Sequence, residues 1–532
     1  MFMKISIACI ILLICSCKKS SDGSGAQPPA PTPTPVLQSN VSSISLEAST
    51  GSKDSINITS NINWTIALSP ATATWASLSA SSGSNNAKIY ITATEDNISG
   101  SQRSVVIILT PASTTSISPV NISVTQNFQS LNSPTFWQKT LGGTGTDQSN
   151  AIIPTADAGY LVAGYTQSND GNVTGNHGGG DVWLVKLNSS GGIIWQKTFG
   201  GTGYDIAYSL VATSDGGYAF AGQTASTNGD VAGLHGTAAD MWVVKLNNSG
   251  NIVWQKTLGG TGDDIAYSMV AASDGGYAII GRTLSSDGDA MGYHGGADVL
   301  VVKLNGNGDI VWKKVIGGSA QDIGFSIIAT TDNGYFITGN TASNDGDISG
   351  VHGTSDLLAV KLDGSGNIIW QKAFGGLNGE GGRSTIATND GGYIVVGNTF
   401  SNDGDVSGNH GNDDGWILKI NGSGILEWQK TIGGIGNDFF NSIIVNSQGQ
   451  FVISGSSNSN NGDVPTNNGD MDFWMIQSDI SGNISGKKSF GGTGADEAKG
   501  IVSTSDGNYI TVGNTANNRG GNSDVWVVKF QF

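Results

Sequence analysis

The side chains with the clearest chemical potential in this sequence are acids that recur in equivalent loops. Each of three loops carries two aspartates separated by glycine, and a third aspartate follows nine residues later. They are Asp287, Asp289 and Asp298, then Asp345, Asp347 and Asp356, and then Asp403, Asp405 and Asp414. Carboxylates alternating with backbone carbonyls are the hard oxygen ligands that calcium requires. The spacing differs from that of the EF-hand, and Asx turns explain the same residues without a metal. Calcium is therefore the one cofactor suggested, and otherwise none is expected.

All histidines of the chain occupy one equivalent loop position. They are His177, His235, His294, His352 and His410, and Asn468 stands in the sixth place. A catalytic histidine is normally a single residue, so five copies predict a structural role, such as a loop hydrogen bond or a contact between repeats. A shared metal site is disfavoured, because equal spacing around a ring separates the imidazoles too far for bonds of about 2 Å.

Another acid recurs after a glycine-rich turn, GGTG or a variant of it. The positions are Asp147, Asp205, Asp264, Asp322, Glu380, Asp438 and Asp496. We expect these acids to cap the turn or to pair with the repeated lysines. Glycoside hydrolysis needs one carboxyl group in a distinct environment, and the sequence singles none out. The sequence therefore predicts a protein that is not an enzyme.

Positions at which one repeat differs from the others are the better indication of a binding site. Residues that stabilise the fold recur in every repeat, whereas residues that bind a ligand need not. One strand of the fifth repeat reads Gly381-Gly382-Arg383 where other repeats have apolar residues. The residue after the glycine that ends the second strand also varies, as Tyr165, Gln223, Arg282, Asn340, Asn398, Ser456 and Asn514. If this position lines one face of a ring, Tyr165, Gln223, Arg282, Asn340, Asn398 and Arg383 form a rosette for a sugar or peptide. Drift at an exposed position is the alternative explanation.

These residues belong to a unit that repeats every 58 or 59 residues. Its marker is the tryptophan of a WQK strand, at Trp137, Trp195, Trp254, Trp312, Trp370 and Trp428, with Gly486 in the seventh place. The third unit predicts four strands, Ile265–Ser273, Tyr277–Thr283, Val299–Leu304 and Ile310–Ile316, separated by Asp, Asn and Gly turns typical of hairpins. Four antiparallel strands per unit predict the blade of a β-propeller.

The array opens with an isolated fourth strand, Phe136 to Leu141, and ends with a third strand, Asp524 to Phe532. Pairing of these two strands would close a seven-bladed ring over residues 133–532 and remove an exposed edge. The units resemble bacterial β-propeller repeats with a GGY, VWLVKL, WQKTFGG pattern found in secreted proteins, a resemblance that implies a fold but no activity. Tryptophans at one repeat position exchange with Leu300 and Leu358, which predicts packing between blades. They are Trp183, Trp242, Trp416, Trp474 and Trp526.

The N-terminus predicts export and a lipid anchor. Lys4 precedes an apolar run from Ile5 to Cys15, which is too short for a membrane span and has the form of a secretory signal. Ile14-Cys15-Ser16-Cys17 resembles the lipobox of bacterial lipoproteins, which implies a signal peptide over residues 1–16 and acylation of Cys17. Residues 17–36 are rich in Ser and Pro and predict an extended linker.

Residues 37–128 alternate apolar with Ser, Thr or Asn in short runs, which predicts a small β-sandwich. Certain residues, in their order, look like a BACON domain, an immunoglobulin-like family common in extracellular proteins of Bacteroidetes. They are Asn63-Trp64-Thr65, Thr74-Trp75, Ser81-Ser82-Gly83, Glu95 to Asn97, Arg103 and Val124-Thr125-Gln126. A carbohydrate-binding role has been proposed for that family. Trp64 and Trp75 are nevertheless expected in the core rather than as exposed sugar platforms.

Charge and cysteine content narrow the function further. The net charge of −17 argues against nucleic acid as a partner. All three cysteines lie within the first 17 residues, so the folded part forms no disulfide. By analogy with other lipoproteins, which Cys17 and the residues before it resemble, Lys18 rather than Asp after the cysteine implies sorting to the outer membrane, facing the cell surface or the periplasm. We expect an all-β protein that recognises glycans or an envelope protein. An assembly protein without a small ligand, and a propeller-based glycan hydrolase or lyase, are the alternatives.

Overall fold

The computed structural model describes residues 33–47, 51–95, 97, 102–112, 117–127, 135–516 and 522–532. The chain divides into two compact units, Met1–Leu131 and Asn132–Phe532. The expected signal peptide, Cys17 and all but the last residues of the linker lie outside the described residues. In the described ranges, no helix has the length and apolar character needed to cross a membrane.

The described residues of the first unit form nine strands in two sheets, which confirms the predicted β-sandwich. The strands are β1 (Leu37–Ser39), β2 (Ser43–Leu46), β3 (Lys53–Ser60), β4 (Asn63–Ser69), β5 (Ala76–Leu78), β6 (Ser82–Ser84), β7 (Ala87–Ala93), β8 (Arg103–Pro111) and β9 (Val120–Gln126). One sheet has the order β1-β3-β7-β5 and the other β2-β9-β8-β4-β6. Alternate residues of the long strands are buried, as in β4 and β8, because successive side chains point to opposite faces.

Both tryptophans of the first unit lie in its core, as predicted. The exposed fraction is 1% for Trp64 and 7% for Trp75. The indole Nε1 of Trp64 donates a hydrogen bond to the carbonyl oxygen of Asn85 at 3.0 Å. The guanidinium of Arg103 lies over the Trp75 ring at 5.0 Å. Neither ring is therefore available as a platform for a sugar.

In the second unit, residues 135–516 and 522–532 form seven four-stranded antiparallel sheets. Blade one comprises β11 (Asp147–Pro154), β12 (Tyr160–Thr166), β13 (Asp181–Leu187) and β14 (Ile193–Phe199). Blade two comprises β15 (Asp205–Ala212), β16 (Tyr218–Thr224), β17 (Asp240–Leu246) and β18 (Ile252–Leu258). Blade three comprises β19 (Asp264–Ala271), β20 (Tyr277–Thr283), β21 (Asp298–Leu304) and β22 (Ile310–Ile316). A short 3₁₀ turn, Gly288–Ala290, lies in the loop between β20 and β21.

The remaining blades repeat this arrangement. Blade four comprises β23 (Asp322–Ala329), β24 (Tyr335–Thr341), β25 (Asp356–Leu362) and β26 (Ile368–Phe374). Blade five comprises β27 (Glu380–Ala387), β28 (Tyr393–Thr399), β29 (Asp414–Ile420) and β30 (Leu426–Ile432). Blade six comprises β31 (Asp438–Val445), β32 (Phe451–Ser457), β33 (Asp472–Ser478) and β34 (Ile484–Phe490). Blade seven joins β35 (Asp496–Ser503), β36 (Tyr509–Thr515) and β37 (Asp524–Phe530) to β10 (Thr135–Leu141).

The ring closes as the sequence predicts. Strand β10 pairs antiparallel with β37, with Lys139 opposite Val527. The first strand of blade one also contacts blade seven, because the Ser149 hydroxyl donates to the carbonyl oxygen of Gly513 at 2.9 Å. The backbone N–H of Ser149 donates to the side chain of Asn514 at 2.8 Å. The first strands of successive blades contact one another around the whole ring and therefore line its central channel.

Every inner strand contains a β-bulge at its fourth residue. In blade one, Ser149 pairs with Gly164 and Ala151 pairs with Ala163, so Asn150 is the extra residue. A Cβ on Gly164 would overlap the carbonyl oxygen of Gln148, which is why this position is glycine. A bulge redirects one side chain out of the regular alternation. The fold therefore presents one residue per blade toward the channel.

Packing between blades uses the tryptophan position identified in the sequence. Four of its members are buried, Trp526 is partly buried, and Leu300 and Leu358 are buried at the equivalent places. The predicted packing role is therefore confirmed. Tryptophans of the outer strands pack differently, against the glycine turn of the next blade, as Trp254 does against Gly308.

Candidate functional site

The bulge residues of the inner strands form a ring whose chemistry changes around its circumference. In blade order they are Asn150, Tyr208, Tyr267, Phe325, Arg383, Asn441 and Lys499. Asn150 and Asn441 each donate a side-chain hydrogen bond to the next blade, to the carbonyl oxygens of Ala207 and Ala498. Blades two to five instead present three aromatic rings and a guanidinium. This half of the ring departs from the sevenfold repeat.

The three aromatic side chains form a continuous row. The ring centroids of Tyr208 and Tyr267 are 5.4 Å apart, and those of Tyr267 and Phe325 are 5.1 Å apart, with tilted planes. The Arg383 guanidinium lies 4.3 Å from the centroid of Phe325, within the range of a cation–π contact. The row therefore ends on a cation that Phe325 holds in place.

A second cation lies beside the same row. Arg282 is half-buried on β20, opposite Ile265 of the inner strand β19. Burial raises the pKa of Tyr267, and the charges of Arg282 and Arg383 both oppose that shift. Both guanidinium groups therefore lie within electrostatic reach of the Tyr267 hydroxyl.

An acid that has no counterpart in the other blades lies close to Arg383. Asp413 is 6% exposed, and both of its carboxylate oxygens accept hydrogen bonds from the Asn398 amide at 3.0 Å. Burial raises the pKa of Asp413 to about 7, and the hydrogen bond from Asn398 and the charge of Arg383 oppose the shift. Asp413 thus titrates near neutral pH. We call Tyr208, Tyr267, Phe325, Arg282, Arg383, Asn398 and Asp413 the channel site.

The structure brings together three residues of the predicted rosette, Arg282, Asn398 and Arg383. Tyr165 lies instead near the start of the aromatic row, where its ring and that of Tyr204 flank Gly180. Gln223 is half-buried at the matching place on β16, opposite Ile206. Asn340 is half-buried on β24, and its Oδ1 is buried without a hydrogen bond. The rosette position does lie next to the inner strands, but only part of it joins the channel site.

The nine aspartates considered for calcium take three separate roles. Asp287, Asp345 and Asp403 accept hydrogen bonds from the backbone N–H groups of Thr261, Ser319 and Leu377 at 2.7–2.9 Å. Asp289 and Asp405 accept from Gly259 and Gly375 at 3.3 Å, and Asp347 lies 3.9 Å from the Lys314 ammonium. Asp298, Asp356 and Asp414 contact histidines. Among the described residues, no three acids, histidines or cysteines meet in a group that could hold a metal ion. The calcium hypothesis stays a prediction.

The histidines have the structural role that the sequence indicates. In each of the five loops, the ring Nδ1 lies 2.5–3.0 Å from the buried aspartate that begins the third strand. The backbone N–H of the same histidine donates to that carboxylate, as in His352 and Asp356 at 3.1 Å. The five pairs fix the long loop onto the sheet.

The acids after the glycine-rich turn cap that turn, which confirms one of the two predicted roles. Asp147, for example, accepts from the backbone N–H of Gly143 at 2.7 Å. The other predicted role, pairing with the repeated lysines, is wrong. Those lysines pair with the aspartate of the turn between the first two strands, as Lys186 does with Asp157 at 2.5 Å. Its hydrogen bond from Lys186 lowers the pKa of Asp157 to about 2.

Sequence reasoning missed four residues of the channel site, namely Tyr208, Tyr267, Phe325 and Asp413. The first three share the repeat position of Arg383, so comparing that position across blades would have found them. Asp413 stands where the preceding blades have Gly180, Ala239, Ala297 and Ser355. An extra acid beside the repeated Asp414 was the available signal.

Comparisons with known proteins found solved structures of similar fold but no matching family. No protein-family model matches the chain, and no curated protein matches it. Similar solved structures include the polysaccharide lyase Uly1, with 10% identity and a TM-score of 0.42 over 75% of this chain and 100% of that one. The α-L-arabinofuranosidase Arb93A from Fusarium graminearum has 10% identity and a TM-score of 0.40 over 75% and 98%. Sqt1 from Chaetomium thermophilum has 13% identity and a TM-score of 0.38 over 73% and 85%.

These neighbours correct the expectation that the protein is not an enzyme. Two of the three structures are a polysaccharide lyase and an arabinofuranosidase. At 10% identity the likeness concerns the fold, and the active residues of those proteins are not transferred to this chain.

Proposed function

We propose that the propeller binds a glycan at the channel site. The observation that carries this proposal is the row of three aromatic rings, Tyr208, Tyr267 and Phe325, that continues into Arg383. Tyrosine and phenylalanine rings offer apolar faces to the C–H faces of sugars, and a few convergent polar groups fix the orientation of a ligand. Asn398, Asp413 and the tyrosine hydroxyls supply such groups.

The departure from sevenfold symmetry supports binding over a purely structural role. Elsewhere in the ring, scaffold contacts recur, such as the histidine pairs and the lysine pairs. Clefts of 480 and 360 Å³ between neighbouring blades also recur, one near His177 and the next near His235. The channel site occurs once, because blades one, six and seven place Asn150, Asn441 and Lys499 at the equivalent positions.

Glycan cleavage is a second candidate function, and Asp413 is the observation that favours it. A carboxyl group with a pKa of about 7 is about half protonated at neutral pH, and its protonated form can donate to a leaving glycosidic oxygen. Its amide partner Asn398 holds the group in place. Burial also raises the pKa of Tyr208 to about 12, so this phenol stays protonated.

We also propose that the protein is an outer-membrane lipoprotein anchored through Cys17. Support comes from the apolar run before Ile14-Cys15-Ser16-Cys17, from Lys18 and from the Pro-rich segment that follows. The ligand would then be a glycan that reaches the cell envelope. Labelling with a radioactive or clickable fatty acid in the native host checks this proposal, because Cys17→Ser would abolish the label.

A glycan array probed with the chain from residue 18 onward tests the binding proposal. We expect Tyr267→Ala and Phe325→Ala each to reduce binding to any positive glycan about tenfold, which corresponds to about 1.4 kcal/mol of lost stacking on an aromatic ring. Tyr90→Ala, which removes an exposed ring from the first unit, is the matched control. Binding that survives both channel variants but is lost in Tyr90→Ala would place recognition in the first unit and contradict the proposal. Incubating each positive glycan with the protein and looking for shorter products, with Asp413→Asn as the comparison, tests cleavage.

A further inference from the structure

We infer that the glycan bound at the channel site is acidic and carries uronate carboxylates, which Arg282 and Arg383 bind. This inference rests on the proposed function and adds the class of ligand. The sequence contains only four arginines, Arg103, Arg282, Arg383 and Arg519. Two of them lie at one aromatic row.

Neither arginine of the channel site forms an ion pair in the described part of the chain, although the charge of Asp413 acts on Arg383 from a greater distance. No ion pair or hydrogen bond joins Arg282 or Arg383 to another described residue, and the Arg282 Nε is buried without a partner. By contrast, Arg103 in the first unit lies 3.7 Å from the Glu95 carboxylate and donates to Gln126 at 2.8 Å. The guanidinium of Arg383 lies over the ring of Phe325, and Arg383 is an exposed residue.

The buried lysines of the propeller have a structural role, and each of them is paired with a carboxylate. Each repeated lysine, such as Lys303 or Lys419, has a carboxylate within 2.9 Å. Burial of a charge without a partner is costly. The unpartnered buried Nε of Arg282, together with the exposed guanidinium of Arg383 near the same tyrosine, therefore indicates a site that an anionic ligand completes.

A carboxylate on a sugar fits this arrangement better than an isolated anion. A guanidinium group is planar and binds a carboxylate through two parallel hydrogen bonds. The aromatic row beside the two arginines gives the sugar rings a stacking surface, which a free anion would not need. The whole chain carries a net charge of −17, so a polyanionic glycan gains no general attraction and depends on local cations.

The test compares paired probes that differ only in the carboxylate. Oligosaccharides of galacturonate, glucuronate and mannuronate are titrated calorimetrically against the chain from residue 18 onward, each beside the same oligosaccharide with its carboxyl groups reduced to alcohols. We expect at least one uronate oligosaccharide to bind about tenfold or more tightly than its reduced partner, since hydrogen bonds to charged groups are the stronger ones.

Variants assign that preference to the arginines. Arg383→Ala and Arg282→Ala should each remove most of the uronate preference, and Arg383→Lys should restore only part of it, because lysine lacks the two parallel donors. Lys372→Ala removes one exposed positive charge from an outer strand and should change nothing. Residual binding of the reduced oligosaccharide shows that each variant is folded, and melting curves check the same point.

Each remaining outcome contradicts a different statement. Equal affinity for a uronate oligosaccharide and its reduced partner would overturn this inference and leave glycan binding intact. Binding of sulfated neutral oligosaccharides but not uronates would overturn the assignment of a carboxylate. Failure of every oligosaccharide to bind would contradict the proposed function itself, and this inference with it.

Discussion

Asp413 is the residue at which the chemistry of the fifth blade differs most from its neighbours. The carbonyl oxygen of this residue keeps its scaffold role, because it accepts from the backbone N–H of Asp438 at 2.6 Å, as the equivalent Gly180 does from Asp205 at 2.7 Å. Only the side chain is new. A carboxyl group has therefore been added at a place where the backbone was already fixed, without a change in the fold.

The raised pKa of Asp413 makes folding stability depend on pH in a predictable direction. The pKa is about 7 in the folded chain and near 3.8 in the unfolded chain. Between these values the folded state holds a proton that the unfolded state has lost, so stability falls as pH rises through the window. The total loss is of the order of 4 kcal/mol at most, from about 1.4 kcal/mol per pH unit. Asp413→Asn removes this loss. The melting temperature of the variant, relative to that of the unaltered protein, should therefore increase between pH 4 and pH 7.

Thermal melts of both proteins at pH 4.5 and pH 7.5 measure this gain. Asp470→Asn, at an exposed loop position, removes an acid without removing a buried charge and serves as the control. A difference between Asp413→Asn and the unaltered protein that is the same at both pH values would contradict the assignment of a raised pKa to this carboxyl.

The histidine pairs give a second prediction at the residue scale. In the fourth blade, the ring of His352 lies 2.7 Å from the carboxylate of Asp356, which is fully buried. His352→Ala leaves that carboxylate with fewer partners and should cost about 1–2 kcal/mol in the free energy of unfolding. His352→Asn should cost less, because Asn468 occupies the same place in the sixth blade, where its side-chain amide donates to the carbonyl oxygen of Gly491 at 3.3 Å. Urea unfolding curves of the two variants provide the comparison. A cost near zero for His352→Ala would show that the imidazole is not the partner that matters, and equal costs for the two variants would contradict the expected advantage of asparagine.

At the scale of the elements, the strands were predictable and the bulges were not. For the third blade the sequence predicts Tyr277–Thr283 and Ile310–Ile316, and the structure has the same bounds. Apolar periodicity and turn residues locate such strands because burial on both faces selects apolar side chains. A bulge depends instead on the register between two strands, which one strand's own sequence does not contain. Tyr208, Tyr267 and Phe325 therefore read as ordinary strand residues although they project into the channel.

The outer strands yield a prediction about one exception to the repeat. In the sixth blade Gly486 replaces the usual tryptophan, and a Cβ there would lie 2.6 Å from the ring of Phe532. Phe532 also packs edge-on against Tyr509 and Phe530, at 5.7 and 5.5 Å between ring centroids. Gly486→Trp should thus destabilise the propeller by about 1–3 kcal/mol through overpacking, and Phe532→Ala by a similar amount through lost contacts.

The double variant decides whether the two residues share one space. Gly486→Trp combined with Phe532→Ala should be more stable than the sum of the single effects predicts, since the indole can occupy the volume that the phenyl ring leaves. Urea unfolding of the four proteins gives the interaction energy. Simple additivity would mean that Phe532 does not fill the place of the missing tryptophan.

At the scale of the whole molecule, ring closure was predictable because the repeat begins and ends out of phase. The array begins with an isolated fourth strand and ends with a unit that has no fourth strand of its own. Strand β10 supplies that strand and completes the last blade, as expected. Predicting the functional face was harder, since the scaffold dominates the pattern of repeated acids and histidines. The differences between blades identified Arg282, Asn398 and Arg383, but repeat comparison alone does not show which of the differing positions meet in space.

Closure of the ring by β10 can be tested with a disulfide, because residues 18–532 contain no cysteine. Lys139 and Val527 are partners across β10 and β37, and Lys256 and Val243 are the equivalent partners within blade two. A disulfide stabilises a protein more when it closes a longer loop of the unfolded chain. The pair Lys139→Cys with Val527→Cys spans almost the whole propeller, whereas the control pair spans about a dozen residues, a difference of about 3 kcal/mol in the loop-entropy model. Melting temperatures of each variant with and without reductant cancel the effect of the substitutions themselves. We expect the larger rise on oxidation for the closing pair, and an equal or smaller rise would mean that the ring is not held shut at this strand pair.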